Sequence, residues 1–472
     1  MTFTVIGLLG LYFIPVFSTP IFQVYSADYI IFKIIGSGWT EGHIPYKDLF
    51  DIKGPLLFLI QALGFTIQSG KWGIWILEVV FAVLSFELIF QCGVKLGVKA
   101  KYNYFCTDIS ILFYFACLEN GNTVEEFCLP FQLFPLYLTI SYFNSSNKRI
   151  YLSGFITGLC FGAVALMRLN NNCVIVGLAI GLICWFVKEN RLNDLFRIIL
   201  CFAAGLIVIF TPFCIYFALH GALSDMMYAT FGLNYYYLIN GSNIDSTRPI
   251  IHLICFTPSL ILFLIAFLNR KKINFGTGIC CILIGLVTFF TFIFGRHYTH
   301  YIQMATPSVA LSLFLSYSAS KRQKEIILYV MGVIMLVMEC QCLINWRAWH
   351  PWVSHYEQHK FKQMGTQFIL ENIPPCEQDS IYSYGIPFVV GSIYETGHYP
   401  CGRFFLFQDM YSDIDPKMRN LIREDFVKSA PKWVICTPEA GKTLHEELKE
   451  YILVENNQSS LPEDWKVYKR ND

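Results

Sequence analysis

Charged residues are scarce in this chain of 472 residues. Asp, Glu, Lys and Arg make up only 15% of it, compared with about 25% in an ordinary soluble domain. The net charge is +1 at pH 7, so there is no excess of positive charge to hold a nucleic acid. The chain is instead 55% hydrophobic and 17% aromatic, with a mean hydropathy of +0.47. This composition is typical of an integral membrane protein.

Motifs for metal, redox and nucleotide chemistry are also missing. No C-x-x-C pair stands out among the 17 cysteines, so neither a zinc site nor a redox pair is indicated. Most cysteines lie inside hydrophobic runs, where a small apolar side chain is the ordinary interpretation. The chain has no glycine-rich nucleotide-binding loop and no internal repeat. Cys376 and Cys401 lie in the polar C-terminal part, and the sequence leaves open whether they pair.

Hydrophobic runs that approach the length of a membrane span are frequent. A helical span needs about 20 apolar residues. The first run has no basic stretch before it and no obvious cleavage site, which predicts a retained helix and not a signal peptide. Eleven runs are candidates, at 3–22, 72–91, 103–118, 127–143, 151–167, 173–187, 196–219, 251–268, 276–294, 301–318 and 326–345.

Lysine and arginine give these spans an orientation. One set of alternate loops carries 14 of these residues in 43 positions, whereas the opposite set carries 7 in 99. Because basic loops stay on the cytoplasmic side, the N-terminus is predicted inside and segment 346–472 outside. Segment 54–69 has about 15 apolar residues, the length of an interfacial helix. We therefore interpret 23–71 as one long external loop with helices along the membrane surface.

The chain is predicted to have two domains. Residues 1–345 form a transmembrane domain that includes the external loop 23–71. In 346–472, short hydrophobic stretches alternate with polar residues, which is typical of a small α/β domain. The predicted fold class is an α-helical polytopic membrane protein with about 11 transmembrane helices and a C-terminal α/β soluble domain on the outer face.

Ionisable side chains concentrate at the predicted outer membrane edge. The first external loop carries Asp28, Asp48 and Lys53, and charges at such a boundary suggest a functional site. Arginine suits phosphate because its planar donors match the oxygens. A carboxylate suits a hydroxyl because it can act as a general base. Further candidates at the same edge are Glu125, Glu126, Arg168, Arg296 and His300.

These residues also have ordinary structural interpretations. Asp28 fits a solvated loop residue. Glu125 and Glu126 fit negative charges that favour the N-terminus of the next helix. Arg168 and Arg296 fit anchors that reach from the membrane edge into water. The sequence leaves both sets of interpretations open.

Two segments at the outer edge have a recognisable order. Asp28 is followed by Gly-x-x-Pro-Tyr-x-Asp at 42–48 and by Lys-Gly-Pro at 53–55, and Gly-Arg-x-Tyr-x-His-Tyr follows at 295–301. This order resembles the type C (GT-C) polytopic membrane glycosyltransferases. Within that family it is most similar to the bacterial branch related to protein O-mannosyltransferases and the aminoarabinose transferase of lipid A.

The resemblance implies a role for each candidate residue. The early acid, Asp28, is the expected catalytic base, which deprotonates an acceptor hydroxyl. The residues expected to bind the donor phosphate are Lys53, Arg168, Arg296 and His300. Those expected to position the acceptor, or to support a metal, are Asp48, Glu125 and Glu126.

The chain departs from the family pattern at three points. Tyr29 follows Asp28 where the family often has a second acid, and Gly54 stands where the family has the first of two prolines. An Asp-x-Asp pair is absent from the first loop. We therefore predict no cofactor and no obligatory metal, while a divalent metal stays open.

The resulting prediction is an integral membrane glycosyltransferase of the bacterial inner membrane. It would move a hexosyl or pentosyl group from a polyprenyl-phosphate donor to an envelope glycan, lipid or protein on the extracytoplasmic side. The alternatives are a transporter or flippase of a lipid-linked saccharide, a lipid-linked glycan polymerase or ligase, and a non-catalytic family member. A transporter is disfavoured because the charges lie at the outer edge and the chain has no repeated halves.

Overall fold

The computed structural model divides the chain into two compact units. The first comprises residues 1–15, 75–216 and 244–347, and the second comprises 16–74, 217–243 and 348–472. Segment 23–71 groups with the C-terminal part in this division, and the predicted domains 1–345 and 346–472 stay a prediction. The described residues are 2–15, 18–21, 26–118, 121–144, 149–240, 249–294, 298–349, 357–437, 444, 446–454, 461 and 465–471.

The first unit is built of helices around an apolar core, in which Phe86, Tyr114 and Leu129 are buried. Some helices approach closely at glycine: a Cβ on Gly158 would lie 2.0 Å from the carbonyl oxygen of Phe202. Small residues commonly permit such contacts between membrane helices. The helices wholly or mostly in this unit are Thr2–Phe13, Lys71–Lys95, Ala100–Cys117, Val124–Asn144, Ile150–Arg168, Cys173–Lys188, Leu192–Leu219, Pro249–Leu268, Phe275–Phe294, Thr306–Ser316 and Lys321–Trp349, with 3₁₀ segments at Leu169–Asn172 and Thr299–Ala305.

Four helical segments in the described part of the chain are long and apolar enough to cross a membrane. They are Lys71–Lys95, Ile150–Lys188, Leu192–Leu219 and Phe275–Ile293. The larger number of spans predicted from the sequence stays a prediction.

The first predicted span, 3–22, is not one continuous helix. The helix ends at Phe13, because Pro15 disfavours helical backbone at the residue before it. At 12 residues it extends for about 18 Å.

The second unit begins with the loop. Helix Pro55–Ile67 starts with a proline, whose fixed φ suits the first helical position. Its 13 residues extend for about 20 Å, in agreement with the short helix predicted over 54–69. The other helices of this unit are Ala27–Thr40, Leu223–Met227, Asn234–Asn240, Glu357–Asn372, Pro387–Glu395, Gln408–Ile414 and Pro416–Ser429, with a π-helix at Tyr228–Leu233 and 3₁₀ segments at Pro375–Ser380 and Glu447–Glu450.

The C-terminal part contains the alternating strands and helices that its sequence predicts. Strands β1 (Ile381–Tyr384), β2 (Trp433–Cys436), β3 (Tyr451–Leu453) and β4 (Lys466–Arg470) form one sheet in the order β1-β2-β4-β3. The β1–β2 pair is parallel, with Ile381 opposite Trp433, and the other two pairs are antiparallel. Both β1 and β2 are buried throughout.

The question left open for two cysteines is answered by the structure. Cys376 is exposed and Cys401 is partly buried, and both are free thiols. Burial raises the pKa of Cys401.

Candidate functional site

Asp28 lies in the first turn of helix Ala27–Thr40. The Ser26 side chain caps this helix by accepting the backbone N–H of Tyr29 at 3.0 Å. A carboxylate in the first turn is stabilised by the helix dipole. The Asp28 side chain is 42% exposed, so its carboxylate is accessible to solvent and to a substrate.

A tight turn shapes the segment between Gly42 and Lys53. Gly42 has φ +98° and Tyr46 has φ +70°, so both occupy the left-handed region. The Asp48 carboxylate accepts the N–H of Ile44 at 2.7 Å, which gives this acid a role within the turn. The Tyr46 hydroxyl donates to the carbonyl oxygen of Lys53 at 2.8 Å. A bulky residue with positive φ is uncommon, and here it lets Tyr46 fix the backbone of the lysine.

Lys53 is bound between two carboxylates. Its Nζ lies 3.2 Å from Asp28 Oδ1 and 3.7 Å from Asp51 Oδ2. The Lys53 side chain is 13% exposed, and that of Asp51 is fully buried. The structure thus brings together the predicted base and the first predicted phosphate ligand, and it adds an acid that the sequence prediction did not include.

Tyr411, from the C-terminal part, completes this cluster. Its hydroxyl donates to Asp51 Oδ1 at 2.9 Å. Burial raises the pKa of Tyr411 well above its ordinary value, and the nearby charge of Asp51 raises it further. The phenol therefore stays protonated and acts as a donor. We call Asp28, Asp51, Lys53 and Tyr411 the Lys53 cluster.

Further contacts hold the turn within the second unit. The backbone N–H of Phe50 donates to the carbonyl oxygen of Arg403 at 3.0 Å. The Arg403 guanidinium forms an ion pair with Asp225 at 3.2 Å. The amide of Asn234, just after the π-helix, donates to the carbonyl oxygen of Ile52 at 2.7 Å. The turn that carries Lys53 is therefore fixed by both other segments of its unit.

A second polar cluster lies in the first unit around Arg168. Its Nη1 is 3.3 Å from Glu125 Oε1, and its Nη2 donates to the Tyr301 hydroxyl. The guanidinium carbon also lies 4.1 Å from the centre of the Tyr301 ring. Asn171 donates to the same Glu125 oxygen at 3.1 Å. Arg168 is 13% exposed and Glu125 is 1% exposed, so Arg168 balances a buried carboxylate.

The remaining predicted residues occupy different positions. The His300 ring packs edge-on against Tyr301, with 4.6 Å between ring centres. Glu126 accepts both the backbone N–H and the hydroxyl of Thr123, at 3.1 and 3.0 Å. This contact fits half of a capping box at the start of helix Val124–Asn144. Arg296 lies outside the described residues.

Two members of the Lys53 cluster were missed from the sequence. The only local signal for Asp51 is an acid placed two residues before the lysine. Nothing near Tyr411 in the sequence marks it. Among the described residues, no group of three or more His, Cys, Asp or Glu side chains could hold a metal ion.

The comparison with known sequences gives a partial match. Residues 16–227 match the family described as "Putative competence-induced protein Ccs4 N-terminal domain". This match covers less than half of the chain and includes the loop with Asp28 and Lys53. No curated protein matches the chain in sequence.

Solved structures identify the class of fold. The fold is that of the type C membrane glycosyltransferases, as the sequence motifs predicted, and four of the described helical segments are long and apolar enough to cross a membrane. The structure is similar to that of ArnT from Cupriavidus metallidurans bound to undecaprenyl phosphate, with a TM-score of 0.63 and 10% identity over 99% of this chain and 97% of that one. The apo state of the same ArnT gives a TM-score of 0.62 at 11% identity.

An archaeal enzyme shares the fold at lower similarity. The apo oligosaccharyltransferase of Archaeoglobus fulgidus has a TM-score of 0.56 and 10% identity, over 98% of this chain and 75% of that one. At such low identities, these likenesses establish the fold and leave the reaction to be argued from the site.

Proposed function

We propose that this protein is a glycosyltransferase that takes a monosaccharide from a polyprenyl-phosphate donor. The observation that carries the proposal is the pair of Asp28 and Lys53, 3.2 Å apart in the first loop. The pair combines an accessible carboxylate with a partly exposed cation. The chain that carries this pair is similar in fold to ArnT, whose crystal structure contains undecaprenyl phosphate.

The proposed reaction uses the two side chains differently. Asp28 removes the proton from an acceptor hydroxyl, and the acceptor oxygen attacks the anomeric carbon of the donor sugar. The bond from that carbon to the phosphate oxygen breaks, and the electron pair leaves with the polyprenyl phosphate. Lys53 stabilises the charge that grows on this leaving group. A single displacement of this kind inverts the anomeric configuration.

The proposal also includes the other predicted residues, which differ in the contacts that already engage them. Arg168 and His300 flank Tyr301 in the first unit, where they are proposed phosphate ligands, and Arg296 is a further proposed ligand. Glu125 already neutralises Arg168, so Lys53 is the stronger proposal. The acceptor roles proposed for three acids compete with contacts that these acids already make. Asp48 binds the backbone of Ile44, Glu125 pairs with Arg168, and Glu126 binds Thr123.

The location of the reaction is part of the proposal. The distribution of basic loops supports a cytoplasmic N-terminus, with the first loop and the C-terminal part on the extracytoplasmic side. A lipid-linked donor also supports a site near the membrane edge, because its phosphate stays at the bilayer surface. The acceptor would be a glycan, lipid or protein of the cell envelope, and no nucleic acid takes part.

The test is release of polyprenyl phosphate from a panel of radiolabelled polyprenyl-phosphate monosaccharides. Membranes would carry the wild type, Asp28→Asn or the control Asp413→Asn, with envelope extract as acceptor. Asp413 is an exposed acid of the same unit. We expect release and transfer of label by the wild type and the control, and none by Asp28→Asn.

The Asp28→Asn variant should remain folded. The side chain that changes is 42% exposed, and Lys53 keeps the buried carboxylate of Asp51 as a partner. Full activity in this variant would refute the assignment of the base. An intact wild type that releases no phosphate from any donor, but moves the intact lipid-linked sugar across vesicles, would show a transporter instead.

A further inference from the structure

We propose that Asp51 and Tyr411 are positioning residues that hold Lys53 for the donor phosphate, while Asp28 is the partner that the phosphate displaces. This inference rests on the proposed function and concerns the same site. It assigns the C-terminal part a direct connection to the reacting groups, through the hydroxyl of Tyr411.

The two carboxylates on Lys53 differ in burial. Asp51 is fully buried and Asp28 is 42% exposed. A buried carboxylate that loses its donors cannot be rehydrated, and this costs several times more than the loss of an exposed pair. Asp28 can exchange Lys53 for water at little cost. When an anion competes for Lys53, the contact with Asp28 is therefore the one that opens.

The charge of Lys53 favours this exchange. A phosphate oxygen replaces the exposed carboxylate of Asp28 at the ammonium, and the buried contact with Asp51 is kept. Once Lys53 turns from Asp28 to the phosphate, the Asp28 carboxylate loses the contact with this ammonium and gains basicity. Binding of the donor thus frees the base for the acceptor hydroxyl. The resting ion pair keeps Asp28 occupied until a donor is present.

Asp51 holds Lys53 during this exchange, and Tyr411 holds Asp51. In the described residues, Asp51 accepts the hydroxyl of Tyr411 at 2.9 Å and the backbone N–H of Lys53 at 3.2 Å. Two further titratable groups interact with Asp51, namely the Lys53 ammonium and the Tyr46 phenol, which is itself buried. Without the Tyr411 hydroxyl, Asp51 would draw Lys53 more strongly and leave it less available to the phosphate.

The experiment compares Tyr411→Phe with the matched control Tyr384→Phe. Tyr384 is also a buried tyrosine of the C-terminal part that donates to a carboxylate, that of Asp409. We expect Tyr411→Phe to raise the KM for the donor about tenfold, which corresponds to about 1.4 kcal/mol, with kcat much less affected. Tyr384→Phe should leave both constants near the wild-type values.

The choice of substrate separates positioning from a purely structural effect. Lys53 is proposed to contact the donor and not the acceptor, so Tyr411→Phe should raise the KM for the donor and leave the KM for the acceptor unchanged. If the tyrosine acts through Asp51, the double variant with Asp51→Asn should lose no more activity than Asp51→Asn alone. A purely structural role would lower kcat/KM for the donor and for the acceptor equally.

The outcomes distinguish this inference from the proposed function. An inactive wild type would contradict the proposed function. An active wild type with an inactive Asp28→Asn would support it. With that result in hand, a donor KM in Tyr411→Phe that matches that of Tyr384→Phe, or strictly additive losses in the double variant, would overturn the positioning role alone.

Discussion

Arg168 offers the sharpest test of how the first unit is stabilised. We consider Arg168→Ala, which removes the guanidinium from Glu125 and Tyr301 together. Glu125 is 1% exposed, so the variant leaves a carboxylate buried without its cation. This carboxylate would keep the amide of Asn171, which donates to the same oxygen.

The expected loss follows from this geometry. Removal of one partner from a buried ion pair typically costs about 3–5 kcal/mol, because the other charge is left uncompensated. Arg168 is 13% exposed and Asn171 still donates to Glu125, which places the loss near the lower end. We therefore expect Arg168→Ala to lower the free energy of unfolding by about 3 kcal/mol.

The assay is a denaturant titration of purified protein in mild detergent, with Arg168→Ala compared with Arg168→Lys. The lysine variant keeps the charge but loses the planar contact with the Tyr301 ring, so its loss should be smaller. Glu125→Gln in the Arg168→Ala background removes the uncompensated charge and should restore most of the stability. Such a rescue is the signature of a buried pair.

Two results would refute this reasoning. Arg168→Ala with wild-type stability would show that Glu125 does not depend on Arg168 for its charge balance. A loss that Glu125→Gln fails to restore would show that the arginine acts through other contacts, such as those with Tyr301.

Two further predictions concern packing and pH. Gly158→Ala should destabilise the first unit by about 1–3 kcal/mol, because its Cβ would meet the carbonyl oxygen of Phe202 at 2.0 Å. The control Gly278→Ala should be neutral or stabilising, because nothing lies within 4 Å of the new Cβ. Thermal midpoints of the two variants in detergent would show the contrast. The hydrogen bond from Trp433 lowers the pKa of Glu377, with two lysines adding to the effect. The stabilisation from Glu377 should therefore be present above its unfolded pKa of about 4.3 and be lost as pH falls below it, so the gap in thermal midpoint between wild type and Glu377→Gln should close at acid pH. A gap independent of pH would contradict this.

Part of the candidate site could be read from local sequence. Asp28 and Lys53 are 25 residues apart and belong to one ordered motif, so their proximity follows from the loop. The contact of Glu126 with Thr123 is equally local, since Thr-x-x-Glu before an apolar run is a capping pattern. Asp48 likewise binds a residue of its own turn. Short-range signals thus singled out two members of the Lys53 cluster, Asp28 and Lys53, and the contacts that the structure shows for Asp48 and Glu126 are equally local.

The rest depended on contacts between distant residues. Tyr411 and Asp51 are 360 residues apart, and no periodicity or composition links them. Arg168 and Glu125 are 43 residues apart, on helices whose rotation decides which side chains meet. A sequence pattern shows that a polar residue lies at a membrane edge, but it does not show which neighbour forms an ion pair with it.

The sequence by itself determined the membrane class and the type C fold, and it singled out Asp28 and Lys53 as separate candidate residues. It could do so because hydropathy, periodicity and short motifs act over a few residues. Only the tertiary structure decided that the first loop groups with the C-terminal part, that Tyr411 binds the Asp51 carboxylate beside Lys53, and that Arg168 pairs with Glu125. These features depend on burial, which sets the cost of an unpaired charge and exists only once the chain has folded.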